Sequence, residues 1–387
     1  MKKKLIMFVL GAIVAFIALA LINNSGEDLT IDGKHMSPKN EIIVENEMVY
    51  IPLTLINELY NVDVTSSGDL KSLTVNGSTI SFDTKTKEII EEDGKVYKDS
   101  LLVKEEEIFI PESFVEHFFN LKVTKDDSNY SVTSKKVIPI LMYHTVNDRA
   151  NDTINTQPEN FEEQIKALHD AGYNSITPFE LHDYYFNHGE LPENPILITF
   201  DDGYKDNFTN AYPILKKYNT KATIFIIASR IEQEGMNSYP NEVPKFTWED
   251  AAQMSDLVTI QNHTWDSHRK IDTEKGKQVG QIAAPQKKED GTWETKEEYL
   301  NRITLDIASA QNVIKEKMGY ESIMISYPYG EYSEELLEVA NNLGVKMGVT
   351  VKKGVNYSYD SLMELKRITV DGNYSGEQLV NLIKETK

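Results

Sequence analysis

Apolar and polar positions in the second half of the chain follow the rhythm of strands that alternate with helices. Short apolar runs of strand length recur at residues 138–143, 173–176, 195–200, 221–227, 257–261, 323–327 and 346–350. Between them, apolar residues three or four positions apart predict amphipathic helices, the clearest at 160–171, 206–217, 297–317 and 333–343. The alternation predicts an α/β fold with a mainly parallel sheet, and seven strands in this order suggest a distorted (β/α) barrel.

The first part of the chain carries an internal repeat. Residues 49–64 return as residues 108–123 at a constant offset of 59, and most apolar positions coincide. Each copy predicts a short strand, a helix opened by a proline and a second strand. Between the copies, residues 73–82 predict two alternating strands joined by an Asn-Gly turn. We therefore expect a smaller α+β domain over residues 28–135, followed by the barrel domain over residues 137–387.

Residues 1–24 are predicted to be a transmembrane anchor or a signal peptide. Three lysines precede an apolar run from Leu5 to Ile22, and at roughly 18 residues this run is long enough to span a bilayer. The alternative is a cleaved signal peptide, because Ala18-Leu19-Ala20 has the small-x-small form of a cleavage site. We favour the anchor because the run is longer than most signal-peptide cores. It predicts a single-pass membrane protein with its barrel domain outside the cell, and cleavage would make the protein secreted.

Charge and cysteine content narrow the possible partners and chemistry. The net charge of −21 at pH 7 argues against binding to nucleic acid or to an anionic membrane surface. The chain has no cysteine, which excludes disulfides, iron–sulfur clusters and cysteine nucleophiles. Any metal must therefore be bound by His, Asp or Glu. An exported, acidic, cysteine-free protein fits the surface of a Gram-positive bacterium, and we expect a monomer.

Two segments carry the candidate chemistry. The apolar run 195–200 ends on Asp201 and Asp202, and two histidines, His263 and His268, follow some sixty residues later. Adjacent residues at a strand end point to different sides, so one carboxylate can bind a metal while its neighbour moves a proton. Two histidines and one carboxylate with an open position form a common catalytic zinc set. In (β/α) barrels such residues lie at the carboxyl ends of the strands.

These segments resemble the signature motifs of the polysaccharide deacetylases, the NodB-homology family or carbohydrate esterase family 4. Thr199–Tyr204 resembles the first motif, His263–His268 the second, and Ser326–Gly330 stands at the place of the third. Residues 138–144 resemble the strand that opens many members of the family. The resemblance covers roughly residues 137–385. Separately, the repeat-bearing domain resembles the N-terminal domain of copper amine oxidases, with no redox chemistry implied, and is expected to be a spacer or wall-binding element.

The family resemblance implies a role for each matching residue. Asp201 would be the catalytic base, and Asp202 would bind the metal together with His263 and His268. The metal would be Zn²⁺ or another divalent ion such as Co²⁺, Ni²⁺ or Mn²⁺. A backbone N–H near Tyr329 would help to stabilise the oxyanion.

Two departures from the family pattern open further questions. Ser326 stands where many relatives have an arginine that pairs with the base, and no histidine follows His268 to serve as the usual general acid. His144, at the end of the first barrel strand, is the best candidate for the missing acid, against a structural role. Arg367 either orients Asp201 or is an exposed strand-end residue. We group Arg367 with Tyr329 as a candidate substrate or oxyanion contact.

The leading hypothesis is a metal-dependent hydrolase that removes N-acetyl groups from an extracellular N-acetylglucosamine polysaccharide. The five-residue step between His263 and His268, where most of the family has four, is similar to the poly-β-1,6-N-acetylglucosamine deacetylases. Such an uncharged polymer also suits an acidic protein, although peptidoglycan remains an alternative substrate. The alternative class is a catalytically silent wall-binding protein that has kept the deacetylase fold.

Two further features are left open by the residues alone. The polar excursion 269–296 follows His268 directly, so it predicts either a substrate-contacting segment or a surface insertion. Trp265, between the two histidines, is either core packing or a platform for a sugar ring.

Overall fold

The computed structural model describes residues 29–31, 34–35, 42–98, 100–126, 129–231 and 244–387. The chain divides into two compact units, with the boundary between Lys135 and Lys136.

The expected membrane-anchored arrangement needs correction. The predicted anchor, residues 1–24, lies outside the described residues. Within the part of the chain that the structure describes, no helix is both long enough and apolar enough to cross a bilayer. The helix Lys296–Met318 has the length, at 23 residues, but it carries charged side chains in its first, middle and last turns. The single-pass membrane localisation and the membrane partner are therefore withdrawn.

The smaller unit is built from short strands and two helices over its described residues. In chain order these are β1 (Leu29–Ile31), β2 (Lys34–His35), β3 (Ile43–Glu45), β4 (Met48–Pro52), α1 (Leu53–Tyr60), β5 (Val64–Ser67), β6 (Leu70–Val75), β7 (Ser78–Asp83), β8 (Glu88–Glu91), β9 (Val96–Tyr97), β10 (Leu102–Lys104), β11 (Glu107–Pro111), α2 (Glu112–Phe118), β12 (Leu121–Asp126) and β13 (Asn129–Ser134). The sheets have the orders β12-β13-β1-β2, β10-β11-β4-β3 and β5-β6-β7-β8-β9.

The sequence repeat is also a structural repeat. The elements β4-α1-β5 recur as β11-α2-β12, and both helices follow a proline with φ near −65°. Strands β4 and β11 pair antiparallel with Ile51 opposite Ile110, which are equivalent positions in the two copies. The copies therefore meet about a local two-fold axis at this pair, where both isoleucines are fully buried. Between them, β6 and β7 form the expected hairpin, with φ of 52° at Asn76 and 84° at Gly77.

The larger unit alternates strands and helices. Its elements are β14 (Ile140–Tyr143), β15 (Thr145–Val146), β16 (Asn155–Thr156), α3 (Pro158–Asp170), β17 (Asn174–Ser175), α4 (Pro178–Phe186), β18 (Pro195–Asp202), α5 (Tyr212–Lys217), β19 (Ala222–Ile226), α6 (Trp248–Gln253), β20 (Val258–Asn262), β21 (Lys270–Asp272), β22 (Gln278–Gly280), α7 (Lys296–Met318), β23 (Met324–Ser326), α8 (Glu334–Asn342), β24 (Met347–Lys353), β25 (Leu365–Thr369) and α9 (Gly376–Thr386). One π-helical turn, Asn207–Ala211, leads into α5.

The parallel strands close into the predicted barrel. Their order is β14-β25-β24-β23-β20-β19-β18-β17, and the additional pairing of β14 with β18 closes a ring of seven strands. The barrel is distorted, because β20 and β23 pair at Asn262 and Ile325 alone and the register between β24 and β25 shifts. Strand β25 and helices α4, α6 and α9 were not among the predicted elements.

Side-chain alternation along β18 determines what faces the barrel interior. Ile196, Ile198 and Phe200 pack in the layer between strands and helices, whereas Leu197 packs with the residues inside the barrel. Because side chains alternate along a strand, Thr199 and Asp201 share the inner face with Leu197. The sequence of β18 therefore places a carboxylate inside the barrel at the carboxyl end of the strand.

Because the chain divides into two compact units, we expect the larger unit to fold without the smaller one. A fragment of residues 136–387 should give one cooperative thermal transition, within about 4 °C of the matching transition of the full chain, a shift equivalent to about 1 kcal/mol for a domain of this size. Circular dichroism and calorimetry of both proteins measure this. A fragment that aggregates or melts without cooperativity would contradict it.

Candidate metal centre and active site

The two aspartates at the end of β18 face different surroundings. Asp201 continues the strand alternation into the barrel interior, and both aspartates are buried. Asp202 has a left-handed backbone, with φ of 77°, and Gly203 follows with φ of 74°. A non-glycine residue in this conformation is uncommon and costs free energy, so the surrounding structure must hold it. The turn directs the Asp202 carboxylate away from its neighbour and towards the segment after β20.

Asp202, His263 and His268 converge on one point. Asp202 Oδ1 lies 3.4 Å from His263 Nε2 and 3.2 Å from His268 Nε2. One ligand atom from each residue lies within 4.8 Å of the others. Apart from the two imidazoles, the buried Asp202 Oδ1 has no partner among the described residues. A buried carboxylate oxygen facing two imidazole nitrogens is a donor set that suits a divalent cation.

Hydrogen bonds orient the donor atoms of His263 and Asp202. His263 Nδ1 lies 2.6 Å from the carbonyl oxygen of Ser326, an arrangement in which Nδ1 carries the proton and Nε2 keeps its lone pair. The Tyr204 hydroxyl donates to Asp202 Oδ2 at 2.8 Å, which leaves Oδ1 for a cation. Burial lowers the pKa of His268 to about 4, so its imidazole is neutral at pH 7. The residues present therefore fit a bound divalent metal.

Asp201 is held by a bidentate ion pair with Arg367. The guanidinium donates to Asp201 Oδ1 at 2.9 Å and to Oδ2 at 2.8 Å, and the Ser326 hydroxyl donates to Oδ2 at 3.2 Å. Burial by itself would raise the pKa of Asp201, but the Arg367 charge outweighs it, and the pKa falls to about 2. Asp201 is therefore a carboxylate at every pH at which the protein would work.

Among the roles expected for Arg367, its contacts favour orienting Asp201 over a substrate or oxyanion contact. Its side chain is only 1 % exposed, so it is not a surface strand-end residue. Besides Asp201, its guanidinium N–H groups donate to the Thr350 carbonyl oxygen and to the hydroxyls of Thr199 and Ser326. All five donors are thus used, and none remains for a substrate. Ser326 of β23, which stands where many relatives have an arginine, is uncharged. Arg367 of β25 supplies the positive charge next to Asp201 instead.

His144 lies at the edge of the same cluster. It follows β14, and the Asn207 side chain donates to its carbonyl oxygen at 2.8 Å. Its Nδ1 is buried and has no hydrogen-bond partner in the described part of the chain. Burial lowers the pKa of His144, while the charges of Asp201 and Asp202 act in the opposite direction. The histidine is therefore close enough to sense both aspartates and has one ring nitrogen uncommitted.

Tyr329 and Trp265 are the exposed aromatic residues beside the metal centre. Tyr329 has φ of 61° and is 39 % exposed, and its ring centroid lies 5.0 Å from that of His268. Trp265 is 38 % exposed, which does not fit the core-packing alternative. Both aromatic side chains are therefore partly accessible to solvent.

The excursion after His268 is an ordered segment pinned next to Tyr329. Strands β21 and β22 form a hairpin, and Lys270 and Gly280 face each other at its base. Glu331 binds both residues: the Lys270 ammonium lies 2.8 Å from one carboxylate oxygen, and the Gly280 N–H donates to the other. Lys270 Nζ also lies 4.3 Å from the centroid of the Tyr329 ring. The hairpin thus forms a wall beside the exposed tyrosine, a role that sequence reasoning left open.

Sequence reasoning missed two residues that hold the metal-binding segment. Asp306 accepts hydrogen bonds from the backbone of Trp265, and Asn262 bonds both to Thr264 N–H and to the carbonyl oxygen of Ile307. The available signal was weak: Asp306 is an acidic residue beside Ile303 and Ile307 on the apolar face of helix α7.

Family models match both units of the chain. Residues 188–348 match the model for the polysaccharide deacetylases, and residues 30–134 match the model for the copper amine oxidase N-terminal domain. Both resemblances predicted from sequence motifs are confirmed.

Individual relatives agree with the family models. The Bacillus subtilis protein YxkH, which is named as a polysaccharide deacetylase, is 29% identical over 265 residues, which is 68% of this chain and 82% of YxkH. The poly-beta-1,6-N-acetyl-D-glucosamine N-deacetylase of Staphylococcus aureus (strain MRSA252) is 28% identical over 195 residues, which is 50% of this chain and 60% of that enzyme. The Streptococcus pyogenes deacetylase PplD, solved in complex with acetate, superimposes with a TM-score of 0.52 at 26% identity, covering 64% of this chain and 98% of that chain.

The ion pair predicts a distinctive pH dependence of stability. Arg367→Met leaves Asp201 buried without a counter-charge, so the free energy of unfolding at pH 7 should fall by about 3–5 kcal/mol. In the parent protein, a pKa of about 2 lies below the unfolded value of about 3.9, so this stabilisation is present above pH 4 and is lost as the pH falls towards 2. In the variant, burial raises the pKa instead, so the destabilisation should shrink on acidification.

Urea unfolding of the chelator-treated proteins at pH 7 and pH 4.5 measures both effects. Lys353→Met, which removes an exposed cation from the neighbouring strand, is the control. A deficit for Arg367→Met that stays constant between the two pH values would contradict the assignment.

Proposed function

Because the larger unit of this chain belongs to the polysaccharide deacetylase family, we propose that the protein is a metal-dependent hydrolase that removes N-acetyl groups from N-acetylglucosamine residues of a polysaccharide. The observation that carries the proposal is the convergence of Asp202, His263 and His268 beside a separately compensated carboxylate, Asp201. A site of this kind provides metal ligation and proton transfer side by side, as amide hydrolysis requires.

Asp202, His263 and His268 would hold the ion, and we propose zinc because the set contains two imidazoles and one carboxylate. A bound divalent ion supplies Lewis-acid chemistry, since it polarises the scissile carbonyl and makes a water molecule more acidic. The His263 imidazole is oriented for this role by the Ser326 carbonyl oxygen.

Asp201 would accept the proton from the attacking water. With a pKa of about 2 it is a weak base, so it can act only on a water that has already become acidic. Arg367 fixes the plane of the carboxylate through both oxygens. Each carboxylate oxygen has two lone pairs, and Oδ1 receives one hydrogen bond from Arg367, so one acceptor position on Oδ1 remains open.

His144 would donate the proton that the leaving amine nitrogen needs when the C–N bond breaks. Its uncommitted Nδ1 and its position within reach of the Asp201 and Asp202 charges support this role. Burial lowers its pKa, whereas the charges of Asp201 and Asp202 favour the protonated imidazole that an acid role requires. Tyr329 would contribute its backbone N–H to the oxyanion, from the left-handed turn that presents the chain to the site.

For the substrate we propose poly-N-acetylglucosamine ahead of peptidoglycan. The Staphylococcus aureus relative is named as a deacetylase of the β-1,6-linked polymer, and an uncharged polymer suits a chain with a net charge of −21. We further propose that residues 28–135 act as a spacer or a wall-binding element and that the protein is a monomer. The alternative, a silent carbohydrate-binding protein, gives no reason for a buried ion pair that holds Asp201 next to a metal-binding set.

The division of roles between the two aspartates gives a first test. Asp201→Asn should still bind a divalent ion, but it should release acetate from defined N-acetylglucosamine oligomers roughly 10²–10⁴-fold more slowly, because an amide cannot accept the proton. Acetate release and metal stoichiometry are measured on the same preparation, with the surface variant Asp256→Asn as control. If Asp201→Asn lost the metal and Asp202→Asn kept it, the two roles would be reversed.

The acid role of His144 gives a second test. His144→Ala should lower kcat by roughly 10²–10⁴-fold with metal content unchanged, because the leaving amine would lose its proposed general acid. The surface variant His169→Ala should behave like the parent protein. Near-normal kcat in His144→Ala would mean that Asp201, once protonated, or water donates the proton.

A further inference from the structure

The segment between the two histidine ligands is a turn that has to be held in place. It runs from His263, directly after β20, to His268, and its backbone enters a left-handed conformation at Thr264, with φ of 77°. The ligands are five residues apart, so they lie neither on one helix face nor on one strand face. Contacts from outside the segment must therefore determine where the His268 ring lies.

One carboxylate supplies three of those contacts, and the backbone N–H groups of Ala228 and Ser229 add two more, to the carbonyl oxygens of Thr264 and Trp265. Asp306 Oδ1 accepts the Trp265 N–H at 2.8 Å, and Asp306 Oδ2 accepts both the Asp266 N–H at 3.1 Å and the Ser267 hydroxyl at 2.8 Å. Three consecutive residues, all between the ligands, thus bond to a single side chain. Burial raises the pKa of Asp306, and these three donors act in the opposite direction because they favour its ionised form.

The helix that carries Asp306 is a rigid support. Helix α7 is 23 residues long, begins with a Thr295 capping box and ends at Gly319 in a left-handed C-cap. Ile303 and Ala310, about one turn to either side of Asp306, and the adjacent Ile307 are fully buried. Asn262 joins the same turn of the helix, because its side-chain N–H donates to the Ile307 carbonyl oxygen at 3.2 Å.

We propose that Asp306 is a positioning residue for the metal centre, which presets the His263–His268 turn so that both imidazoles face Asp202. Asp306 contacts none of the three proposed ligands and acts through Trp265, Asp266 and Ser267. The inference rests on the proposed metal site. It assigns a role in that site to helix α7, which lies outside the His263–His268 motif.

The chemistry of the three donors determines how substitutions should behave. In Asp306→Asn, the amide has one oxygen and one NH₂ group, so in either orientation the NH₂ opposes at least one donor of the turn. In Ser267→Ala, one of the three donors is removed and the backbone bonds remain. Loss of groups that orient metal ligands typically lowers metal affinity by roughly 10–100-fold. We expect this range for Asp306→Asn and a smaller loss for Ser267→Ala.

The test measures zinc affinity by competition with a chromophoric chelator for the full-length parent protein, Asp306→Asn, Ser267→Ala and the double variant. Glu316→Gln removes an exposed carboxylate from the same helix and is the matched control. The loss of affinity in the double variant should differ from the sum of the two single losses, because the Ser267 hydroxyl bonds directly to the Asp306 side chain. The visible spectrum of the Co²⁺-substituted proteins provides a second readout of ligand geometry.

The possible outcomes separate this proposal from the proposed function. Weaker zinc binding and an altered Co²⁺ spectrum in Asp306→Asn, with Glu316→Gln unchanged, support the positioning role. Unchanged affinity and spectrum, accompanied only by a lower melting temperature of the metal-free protein, would show that Asp306 serves stability alone and would overturn it. Failure of the parent protein to bind zinc, or unchanged binding in His263→Ala, would instead overturn the metal site itself.

Discussion

The buried ion pair between Asp201 and Arg367 makes the rest of the site possible. Two adjacent carboxylates in a low-dielectric interior repel each other, and each would lose its charge unless a separate cation compensated it. Arg367 compensates Asp201 from inside the barrel, and a divalent ion held by Asp202, His263 and His268 would compensate Asp202 on the other side. One strand end therefore carries a metal ligand and a proton acceptor without forcing them to share a proton.

This arrangement depends on three residues whose backbone has an unfavourable, left-handed conformation. Asp202, Thr264 and Tyr329 all have positive φ, between 61° and 77°, and each belongs to a different loop at the carboxyl ends of the barrel strands. Each such residue costs of order 1–3 kcal/mol, so the surrounding contacts must overdetermine the conformation. The Tyr204 hydroxyl bonds to the Asp202 carboxylate, and the Asn262 side chain accepts the Thr264 N–H. Next to Tyr329, the Gly330 N–H donates to the Tyr327 carbonyl oxygen.

Features that depend on residues close together in the sequence were predicted correctly. The repeat, the hairpin at Asn76-Gly77 and seven strands of the parallel sheet follow from spacing and composition over short windows. The choice of Asp202, and not Asp201, as the metal ligand came from the family resemblance. What the sequence could not reveal was long-range pairing. Arg367 lies 166 residues from Asp201, so the sequence named that pairing only as one of two alternatives. Asp306 lies 41 residues from Trp265, and nothing near either residue shows its partner. The exposure of Trp265 was likewise undetermined, because an aromatic residue in a short turn can face either way.

Anomalous diffraction from crystals of the protein grown with zinc would test the central claim most directly. The account predicts one strong peak, about 2.0–2.2 Å from Asp202 Oδ1 and from Nε2 of both His263 and His268, with both Asp201 oxygens still bonded to Arg367. A peak coordinated by Asp201, or one that leaves out either histidine, would contradict the separation of the two aspartates on which the proposed mechanism depends.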